Sequence, residues 1–249
     1  SVLSRIQQVF PPPQLISFPC VGVDISDTSL KYIELYRAHA HDHHVSIRQW
    51  GDIEIPVGIV ERGNVHDGAK LSAALVEMKM RTNARYVSIS LPEERAYLFE
   101  TTVASDTAPK NMRALLEFRL EENVPLSPRD AYFDYAIVGE DTEKQMLRVV
   151  VAVYAQSTIN SYFEACKVAG LIPLSFEIEA QAIARAAVPQ MQKDTYMIVD
   201  FGKTRMGVGI VHKGMLMYTS TIEIAGDQMS RDMREILGNL AESELTKIK

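Results

Sequence analysis

A short pattern of residues occurs twice in this chain, once near each end. Each copy is an apolar run that ends in an aspartate, followed by a turn of small or hydroxyl residues and a second strand-like run. The first copy covers 21–35 and contains Asp24, and the second covers 197–211 and contains Asp200. Two such hairpins can face each other across a cleft and hold a phosphate chain with its metal ion. The repeat therefore constrains both the fold and the ligand.

The composition narrows the class of protein. The chain has 249 residues, 47% of them hydrophobic, so it can bury a substantial core in one large domain or two smaller ones. The net charge of −6 argues against general nucleic-acid binding, which usually needs a basic surface. Cys20 and Cys166 form no CxxC pair and suit a reducing compartment. With no signal peptide and no apolar run near the roughly 18 residues that cross a bilayer, the sequence predicts a cytoplasmic protein.

Two segments allow more than one interpretation. Residues 2–10 carry apolar residues at helix-like spacing, and Pro11–Pro13 would stop a helix there. They are either a frayed leader or a weak amphipathic contact to a membrane or partner. The run His39–His44 holds four imidazoles and a carboxylate, which could bind a metal. Alternate side chains of a short hairpin tip point to opposite faces, so we expect a solvated tip there.

Periodicity predicts a mixed α/β chain. The predicted strands are 20–25, 30–37, 44–55, 87–91, 97–103, 131–138, 146–154 and 171–176, with a further sheet layer at 195–224. The predicted helices are 67–81, 108–122, 157–169, 178–187 and 226–237. Asp67 is the expected N-cap of the first helix, and Gly170 is expected to end the third. The last residues, up to Lys249, form a charged segment without a predicted element.

The two hairpins carry groups that a magnesium nucleotide needs, namely carboxylates, hydroxyls and tight turns. The first offers Asp24 with Thr28, Ser29 and Lys31, and the second offers Asp200, Gly202 and Thr204. Neither is a P-loop, and the glycines at 207 and 209 lie inside a strand and open no dinucleotide-binding helix. Between the hairpins, Glu179 and Gln181 either begin a surface helix, where the dipole favours acidic residues, or orient water on Mg²⁺.

The segments around and between the hairpins resemble a known family. In order they are V-G-V-D-I-S-D-T-S-L-K, E-E-N-V-P-L-S-P-R-D-A-Y-F-D-Y, A-G-L, E-I-E-A-Q-A-I-A-R-A, V-D-F-G-K-T and A-G-D-Q-M-S-R-D-M. From about residue 20 onward the chain resembles the PilM family of type IV pilus assembly proteins, relatives of the cell-division protein FtsA in the actin-like ATPase superfamily. Sugar kinases and Hsp70-type chaperones share only the hairpins, so the second, third and fourth segments are the most specific.

The resemblance implies an α/β, actin-like ATPase (ribonuclease H-like) fold with an inserted FtsA-type strand-helix-strand-strand subdomain. The implied divisions are a leader at 1–19, a first actin-like domain at 20–95 and 156–194, the insertion at 96–155, and the start of a second domain at 195–249. That second domain would be incomplete at its C-terminal end, because family members continue into a segment that cradles adenosine.

The resemblance also implies ATP with Mg²⁺ in the interdomain cleft, and no catalytic residue is assigned. The residues that fall on the family's nucleotide motifs are Asp24, Ser26, Thr28, Ser29, Lys31, Glu179, Asp200, Gly202, Thr204 and Gly226, with Asp24 and Asp200 holding Mg²⁺ through water. Ser26 replaces the glycine usual in the family, which would narrow the phosphate site. Asp27 beside it would repel phosphate unless it turned outward.

The implied function is a scaffold at the cytoplasmic face of the bacterial inner membrane. It would bind the N-terminal tail of a PilN-like inner-membrane protein, in a groove beside the insertion, and contact other pilus platform proteins. Membrane association would be indirect, no nucleic acid would be bound, and ATP hydrolysis would be slow or absent. The alternatives are a GspL-like type II secretion scaffold, an FtsA-like division scaffold, and an active ATPase or phosphotransferase, which the missing sugar-site motif disfavours.

Overall fold

The structure is a computed structural model that describes residues 19–36, 45–189, 193–238 and 240–248. It forms two compact units. The first comprises the described residues up to Arg95 together with Ala155–Glu177, and the second comprises Ala96–Tyr154 and the residues from Ile178 onward. The segment 2–10 and the run His39–His44 lie outside the described residues, so both interpretations of each remain predictions, as do the implied domain boundaries.

The predicted strands and helices occur in the predicted order, and two short strands that were not predicted, Val60–Glu61 and Asn64–Val65, lie among them. The strands are β1 (Cys20–Ile25), β2 (Ser29–Tyr36), β3 (Ser46–Glu54), β4 (Val60–Glu61), β5 (Asn64–Val65), β6 (Tyr86–Leu91), β7 (Ala96–Ala104), β8 (Ala131–Asp141), β9 (Met146–Ala155), β10 (Ile172–Ile178), β11 (Thr195–Phe201), β12 (Met206–His212) and β13 (Met215–Ile222). The helices are α1 (Gly68–Thr82), α2 (Pro109–Asn123), α3 (Gln156–Val168), α4 (Glu179–Ala187), α5 (Gly226–Leu237) and α6 (Glu242–Ile248), with 3-10 turns at Glu93–Arg95 and Pro128–Asp130.

The first unit is built on a five-stranded mixed sheet in the order β10-β6-β1-β2-β3. Strand β1 is antiparallel to β2 and parallel to β6, so it lies at the centre. Its residues alternate between half-buried and buried, which is the period-2 signature of a strand with one face on a core. Helix α1 packs against β2, β3 and α3. The tip of the first hairpin therefore directly follows the central strand of a well-packed sheet.

Local signals explain the bounds of α1 and α3. The Asp67 side chain accepts a hydrogen bond from the Lys70 amide at 3.0 Å, which confirms the predicted N-cap. Asn83 ends α1 with a left-handed backbone at φ 55°. Gly170 follows α3 with φ +67°, and its amide donates to the Lys167 carbonyl. Glycine adopts this left-handed backbone conformation at a lower free-energy cost than other residues do.

The inserted strand-helix-strand-strand arrangement is present in the second unit. Its three-stranded sheet has the order β7-β9-β8, and α2 covers one face. The core residues are Val103, Met112, Leu116, Leu120, Val124, Ala131, Phe133, Val149, Val151 and Val153. Alternation on the strands and three-to-four spacing on α2 bring these residues into one cluster. Strand β8 extends to Asp141, three residues beyond its predicted end.

A second antiparallel sheet, β11-β12-β13, carries the second hairpin. Helix α4 packs against it, with Ala180 and Ala184 buried. A Cβ on Gly209 of β12 would lie 3.3 Å from the Cβ of Ala180, so the glycine permits the close approach of helix and sheet. Near the end of the chain, the charged segment without a predicted element forms α6, because Leu245 is fully buried. The sequence had assigned neither a helix nor a strand to this segment.

Candidate functional site

The first hairpin closes its tip with its own serines. The Ser26 amide donates to the Ser29 carbonyl at 2.9 Å, and the Ser26 hydroxyl lies 3.1 Å from the Ser29 hydroxyl. The Ser29 amide donates to the Ser26 hydroxyl at 3.2 Å. The Thr28 carbonyl accepts from the amide of Ile55 at 2.9 Å, which ties the turn to the end of β3. The turn is therefore ordered by side-chain oxygens that a glycine would lack.

Ser26 adopts an ordinary backbone conformation. The non-glycine residues with positive φ among those described are Arg62, Asn83, Gln145 and Lys213, and Ser26 is not one of them. A serine therefore fits this backbone without the strain that a left-handed position would impose. Compared with the family's glycine, Ser26 fills more space at the tip and adds hydrogen bonds there, because its hydroxyl bonds within the turn.

Asp27 turns toward the neighbouring hairpin of β4 and β5. Its Oδ1 accepts a hydrogen bond from the Arg62 amide at 3.0 Å. Arg62 adopts a left-handed backbone at φ 49° in that turn. The negative charge of Asp27 therefore has a defined backbone partner, and this partner holds the tip of the first hairpin against β4 and β5.

Asp24 lies on β1 opposite Lys31 and beside β6. The Cα partners of Asp24 are Lys31 in β2 and Ser90 in β6. The Ser90 hydroxyl donates to Asp24 Oδ1 at 2.7 Å. An ionised carboxylate has about four lone-pair sites on its two oxygens, so this bond leaves acceptor capacity for water bound to a metal. Sequence reasoning missed Ser90, although the serines at 88 and 90 alternate along a predicted strand.

A second carboxyl group belongs to the same part of the first unit. Burial raises the pKa of Glu94, which lies in the 3-10 turn after β6, while Arg95 and Arg62 act in the opposite direction. Burial also raises the pKa of Tyr162 on α3, and the negative charges of Glu94 and Asp24 raise it further. The Tyr162 hydroxyl donates to the Gly63 carbonyl at 3.2 Å. Sequence reasoning missed this pair, since Glu94 carries no spacing signal.

The second hairpin has a tighter tip. Asp200 lies opposite Gly207, and Phe201 lies opposite Met206. The Gly202 amide donates to the Arg205 carbonyl at 2.9 Å. A Cβ on Gly202 would lie 2.6 Å from that carbonyl oxygen, so no other residue fits without a shift of the backbone. Asp200 and Thr204 are exposed at this end of the sheet.

Helix α5 begins against the tip of the second hairpin. The Gly226 amide donates to the Gly202 carbonyl at 3.2 Å, and the Asp227 amide donates to the Lys203 carbonyl at 2.8 Å. A Cβ on Gly226 would lie 3.4 Å from the Gly202 carbonyl oxygen and 3.5 Å from that of Lys203. The structure thus brings Gly226 to Gly202, two residues that the sequence placed 24 positions apart.

Glu179 and Gln181 both lie on α4, beside the β11-β12-β13 sheet. The Gln181 side chain donates to the Gly214 carbonyl at 3.1 Å and accepts from the Leu216 amide at 2.7 Å. These two bonds hold α4 to the turn between β12 and β13. Gln181 therefore has a structural partner, in place of the water-orienting role considered for it, while Glu179 is the first residue of the helix.

Asp24 belongs to the first hairpin and Asp200 to the second. Among the described residues, no three His, Cys, Asp or Glu side chains are grouped closely enough to hold a metal ion. A site for Mg²⁺ would therefore draw on water and phosphate oxygens as well as Asp24 or Asp200, which is the usual arrangement for this ion. The exposed carboxylate of Asp200 and the glycine of the second tip, Gly202, have the chemistry that suits a phosphate chain with its Mg²⁺. No helix in the described ranges is long and apolar enough to cross a membrane.

Comparison with solved structures identifies the fold. The chain is similar to a structure described as the PilM-PilN type IV pilus biogenesis complex, with 20% identity, a TM-score of 0.74, and coverage of 93% of this chain and 69% of that chain. It is also similar to the cytoplasmic domain of EpsL, an inner-membrane component of the type II secretion system of Vibrio cholerae, with 12% identity, a TM-score of 0.54, and coverage of 82% and 71%.

A third similar structure is the ethanolamine utilization protein EutJ from Carboxydothermus hydrogenoformans, with 14% identity, a TM-score of 0.51, and coverage of 96% of this chain and 63% of that chain. These likenesses confirm the predicted α/β, actin-like ATPase fold. At this level of identity they establish the fold alone.

The match to a protein family is more specific than these structural similarities. Residues 22–249 match the family described as type IV pilus assembly protein PilM. The match begins inside β1 at Gly22, runs through both hairpins and the inserted subdomain, and includes the segments on which the resemblance was recognised. Because it covers far more than half of the chain, it establishes membership: the chain belongs to the type IV pilus assembly protein PilM family.

Proposed function

We propose that this protein is a cytoplasmic scaffold of the type IV pilus assembly platform, and that it binds the N-terminal tail of a PilN-like inner-membrane protein. The observation that carries the proposal is the family match over residues 22–249. The similarity to a PilM-PilN complex supports a PilN-like partner. The scaffold would stand at the cytoplasmic face of the inner membrane and reach it through this partner and other platform proteins.

The inserted subdomain is the expected neighbour of the tail. Its outer surface includes Leu115 and Phe118 on α2, which are exposed while the opposite side of the helix is buried in the core. Glu117 and Glu121 lie on the same helix, whereas Glu122 is paired with Arg119 at 3.2 Å. A short tail with basic and apolar residues would find both kinds of complement there.

The test of the partner is direct binding. The cytoplasmic tail of the PilN-like protein from the same organism, carrying a photo-crosslinker, is titrated against the folded chain, with a scrambled peptide of the same composition as the control. We expect saturable binding of the native tail alone and crosslinks within residues 96–155. A folded protein that binds neither peptide, or both equally, would contradict the proposal.

We also propose that the two hairpins supply the phosphate-binding elements of an ATP site. In the first unit these are Asp24, Ser26, Thr28, Ser29 and Lys31. In the second unit they are Asp200, Gly202, Thr204 and Gly226, with Glu179 on α4. Asp24 and Asp200 would hold Mg²⁺ through water. When bound, the metal would neutralise phosphate charge. The support is local. The Ser90 hydroxyl donates to one Asp24 oxygen at 2.7 Å, and the Arg62 amide donates to Asp27. Gly202 forms the tight turn of the second tip, and the Gly226 amide donates to its carbonyl.

The nucleotide is tested with a fluorescent ATP analogue and Mg²⁺. Asp200→Asn keeps the shape of the side chain and removes its charge, so we expect weaker binding. Asp194→Asn, just before β11, makes the same change on an exposed residue of the same unit and is the matched control. Equal affinity of Asp200→Asn and the control would contradict the assignment. Phosphate release is measured in parallel, and we expect it to be slow or absent.

One alternative has a structural observation in its favour. The similarity to the cytoplasmic domain of EpsL would suit a type II secretion scaffold. An FtsA-like division scaffold and an active phosphotransferase have no comparable support. The binding experiment with the PilN-like tail distinguishes the pilus scaffold from a type II secretion scaffold when the partner domain of a GspL-like protein is added as a competitor. The two scaffolds would prefer different partners.

A further inference from the structure

The turn between β4 and β5 lies beside the tip of the first hairpin and carries an arginine. Its two residues, Arg62 and Gly63, both have a left-handed backbone, at φ 49° and φ 73°. Turns of this kind favour asparagine or glycine at the first position, because other side chains are strained there. Backbone strain clusters at ligand-binding sites and switch regions, which makes Arg62 a candidate for a role of that kind.

Three hydrogen bonds fix the Arg62–Gly63 turn. The Arg62 amide donates to Asp27 Oδ1 at 3.0 Å, and the Arg62 carbonyl accepts from Arg95 Nε at 2.8 Å. The Gly63 carbonyl accepts from the Tyr162 hydroxyl at 3.2 Å. A Cβ on Gly63 would lie 3.0 Å from Arg95 Cγ, so the turn is also tightly packed. The turn contributes only backbone atoms to these bonds, and its position therefore does not depend on the Arg62 side chain.

The turn is adjacent to both acidic residues of the first tip. The Arg62 Cα lies within about 4.5 Å of Asp27 Oδ1, because it is one N–Cα bond from the donating amide. Tyr162, which bonds the turn, has a pKa raised by burial and raised further by the negative charges of Glu94 and Asp24. The Asp24 carboxylate therefore acts at the turn as well.

The charge of Arg62 acts on the same group of carboxylates. Arg62 is exposed. Burial raises the pKa of Glu94, and the positive charges of Arg95 and Arg62 lower it. Glu94 lies in the 3-10 turn that follows β6, four residues after Ser90, whose hydroxyl donates to Asp24. Strands β1 and β6 are parallel, so these groups share the edge of the sheet at which ligands of α/β proteins bind.

The charges of the first hairpin alone do not favour a phosphate chain. Within residues 24–31, Asp24 and Asp27 are acidic and Lys31 is the one basic residue. A triphosphate carries several negative charges, so its binding calls for cations and N–H donors around it. Arginine suits this task because its planar guanidinium can donate two parallel hydrogen bonds to phosphate. Arg62 supplies a positive charge where the hairpin has an excess of negative charge.

We propose that Arg62 is a phosphate-binding residue of the first unit, and that the fixed Arg62–Gly63 turn presents its guanidinium to the phosphate chain held at the first hairpin. The inference rests on the proposed nucleotide site and adds to it a residue that no sequence motif marks. Asp27 has a supporting role, since its carboxylate accepts the Arg62 amide. An acidic side chain that would otherwise repel phosphate thus positions the cation that binds it.

Arg62→Gln tests the proposal while keeping the turn. The bonds to Asp27 and Arg95 are made by backbone atoms of residue 62, so the substitution removes the guanidinium and retains both. Affinity for a fluorescent ATP analogue with Mg²⁺ is measured by anisotropy. We expect Arg62→Gln to bind about tenfold more weakly or worse, as for the loss of a hydrogen bond to a charged group. Arg62→Lys keeps the charge without the paired donors and should fall between the wild type and Arg62→Gln.

Arg85→Gln is the matched control. Arg85 is exposed and immediately precedes β6, at the end where β1 also begins, because Tyr86 lies opposite Cys20. The control therefore makes the same change of charge at the opposite end of the same strands and should leave the affinity unchanged.

Inorganic tripolyphosphate with Mg²⁺, used as a competitor, tests which part of the nucleotide Arg62 contacts. Because tripolyphosphate has no nucleoside, its affinity should fall in Arg62→Gln by the same factor as that of the ATP analogue. A weaker ATP analogue with unchanged tripolyphosphate would place Arg62 on the nucleoside and overturn the phosphate role.

The remaining outcomes separate this inference from the proposed nucleotide site. Equal affinities of Arg62→Gln and Arg85→Gln would overturn the inference, and weaker binding by Asp200→Asn in the same assay would show that the site itself stands. Unfolding followed by circular dichroism is measured for every variant. An Arg62→Gln protein that loses stability and keeps its affinity would assign Arg62 a structural role. A folded wild-type chain that binds neither the analogue nor tripolyphosphate would remove the proposed site and this inference with it.

Discussion

The turn of the second hairpin makes a sharp prediction about Gly202. In Gly202→Ala the new Cβ would lie 2.6 Å from the Arg205 carbonyl oxygen, whereas ordinary contact begins at 3.4 Å. That backbone oxygen would have to move by about 0.8 Å. It is also the acceptor of the Gly202 amide at 2.9 Å, so the movement strains or breaks the bond that closes the turn.

The expected cost follows from these two contacts. Forcing a methyl into a packed site costs about 1–3 kcal/mol, and a lost hydrogen bond costs about 1 kcal/mol. Restricting the unfolded chain by replacing glycine returns about 0.4–1 kcal/mol. We therefore expect a net loss of about 1–3 kcal/mol in the free energy of unfolding. For a chain of this length each kcal/mol lowers Tm by about 2–4 °C.

Gly68→Ala is the matched control. Gly68 is the first residue of α1, and a Cβ there would meet nothing within 4 Å. Because alanine favours a helix over glycine, this variant should be as stable as the wild type or slightly more so. Denaturant unfolding followed by circular dichroism compares the two. A Gly202→Ala protein as stable as the Gly68→Ala protein would refute the tight geometry of the turn.

Three further predictions concern other parts of the molecule. Leu116→Ala, which empties a fully buried core position, should cost about 2–5 kcal/mol in denaturant unfolding, whereas Phe118→Ala on the exposed side of the same helix should cost about 0.5 kcal/mol or less. Equal costs would place the core on the wrong side of α2. Hydrogen bonding to Arg148 lowers the pKa of Glu100, so this pair should stabilise the fold above the unfolded-state pKa of glutamate and lose that effect as the pH falls through the lower folded value. The pair is partly exposed, so its contribution to stability is below about 1 kcal/mol. An NMR titration that finds the same Glu100 pKa in the wild type and in Arg148→Gln would contradict this role of Arg148. Burial raises the pKa of Cys166 to about 12, which keeps the thiol protonated at pH 8. Cys166 should therefore resist iodoacetamide until the protein unfolds. Rapid labelling of the native protein would contradict the burial of this side chain.

The sequence predicted the hairpins and the order of elements because these depend on local patterns. Strand β1 alternates buried and half-buried residues at every step, and Asp67 caps α1 by a contact three residues away. Both signals are complete within a short window. The inserted subdomain was predicted from the resemblance of its sequence segments to a known family, and not from a local pattern.

The contacts that define the candidate site were harder to predict because they join distant positions. The bond from Ser90 to Asp24 spans 66 residues, and the bond from Arg62 to Asp27 spans 35. Gln181 illustrates the same limit, because its hydrogen-bond partners lie more than 30 residues away. No residue pattern in the turn between β12 and β13 indicates that a distant amide side chain would bond to it. Helix α6 was missed because its short segment mixes charged and polar residues with few apolar ones, and the burial of Leu245 is visible only in the structure.

The hydrogen bonds between the second hairpin and α5 have a mechanical consequence. Because the amides of Gly226 and Asp227 are both bonded to carbonyls of the hairpin tip, the tip cannot be displaced without carrying the beginning of the helix. The helix is 12 residues long, which corresponds to a rigid rod of about 18 Å. A small tilt imposed at its first turn is therefore magnified at its far end. The two hydrogen bonds therefore couple the position of the hairpin tip to the direction of α5.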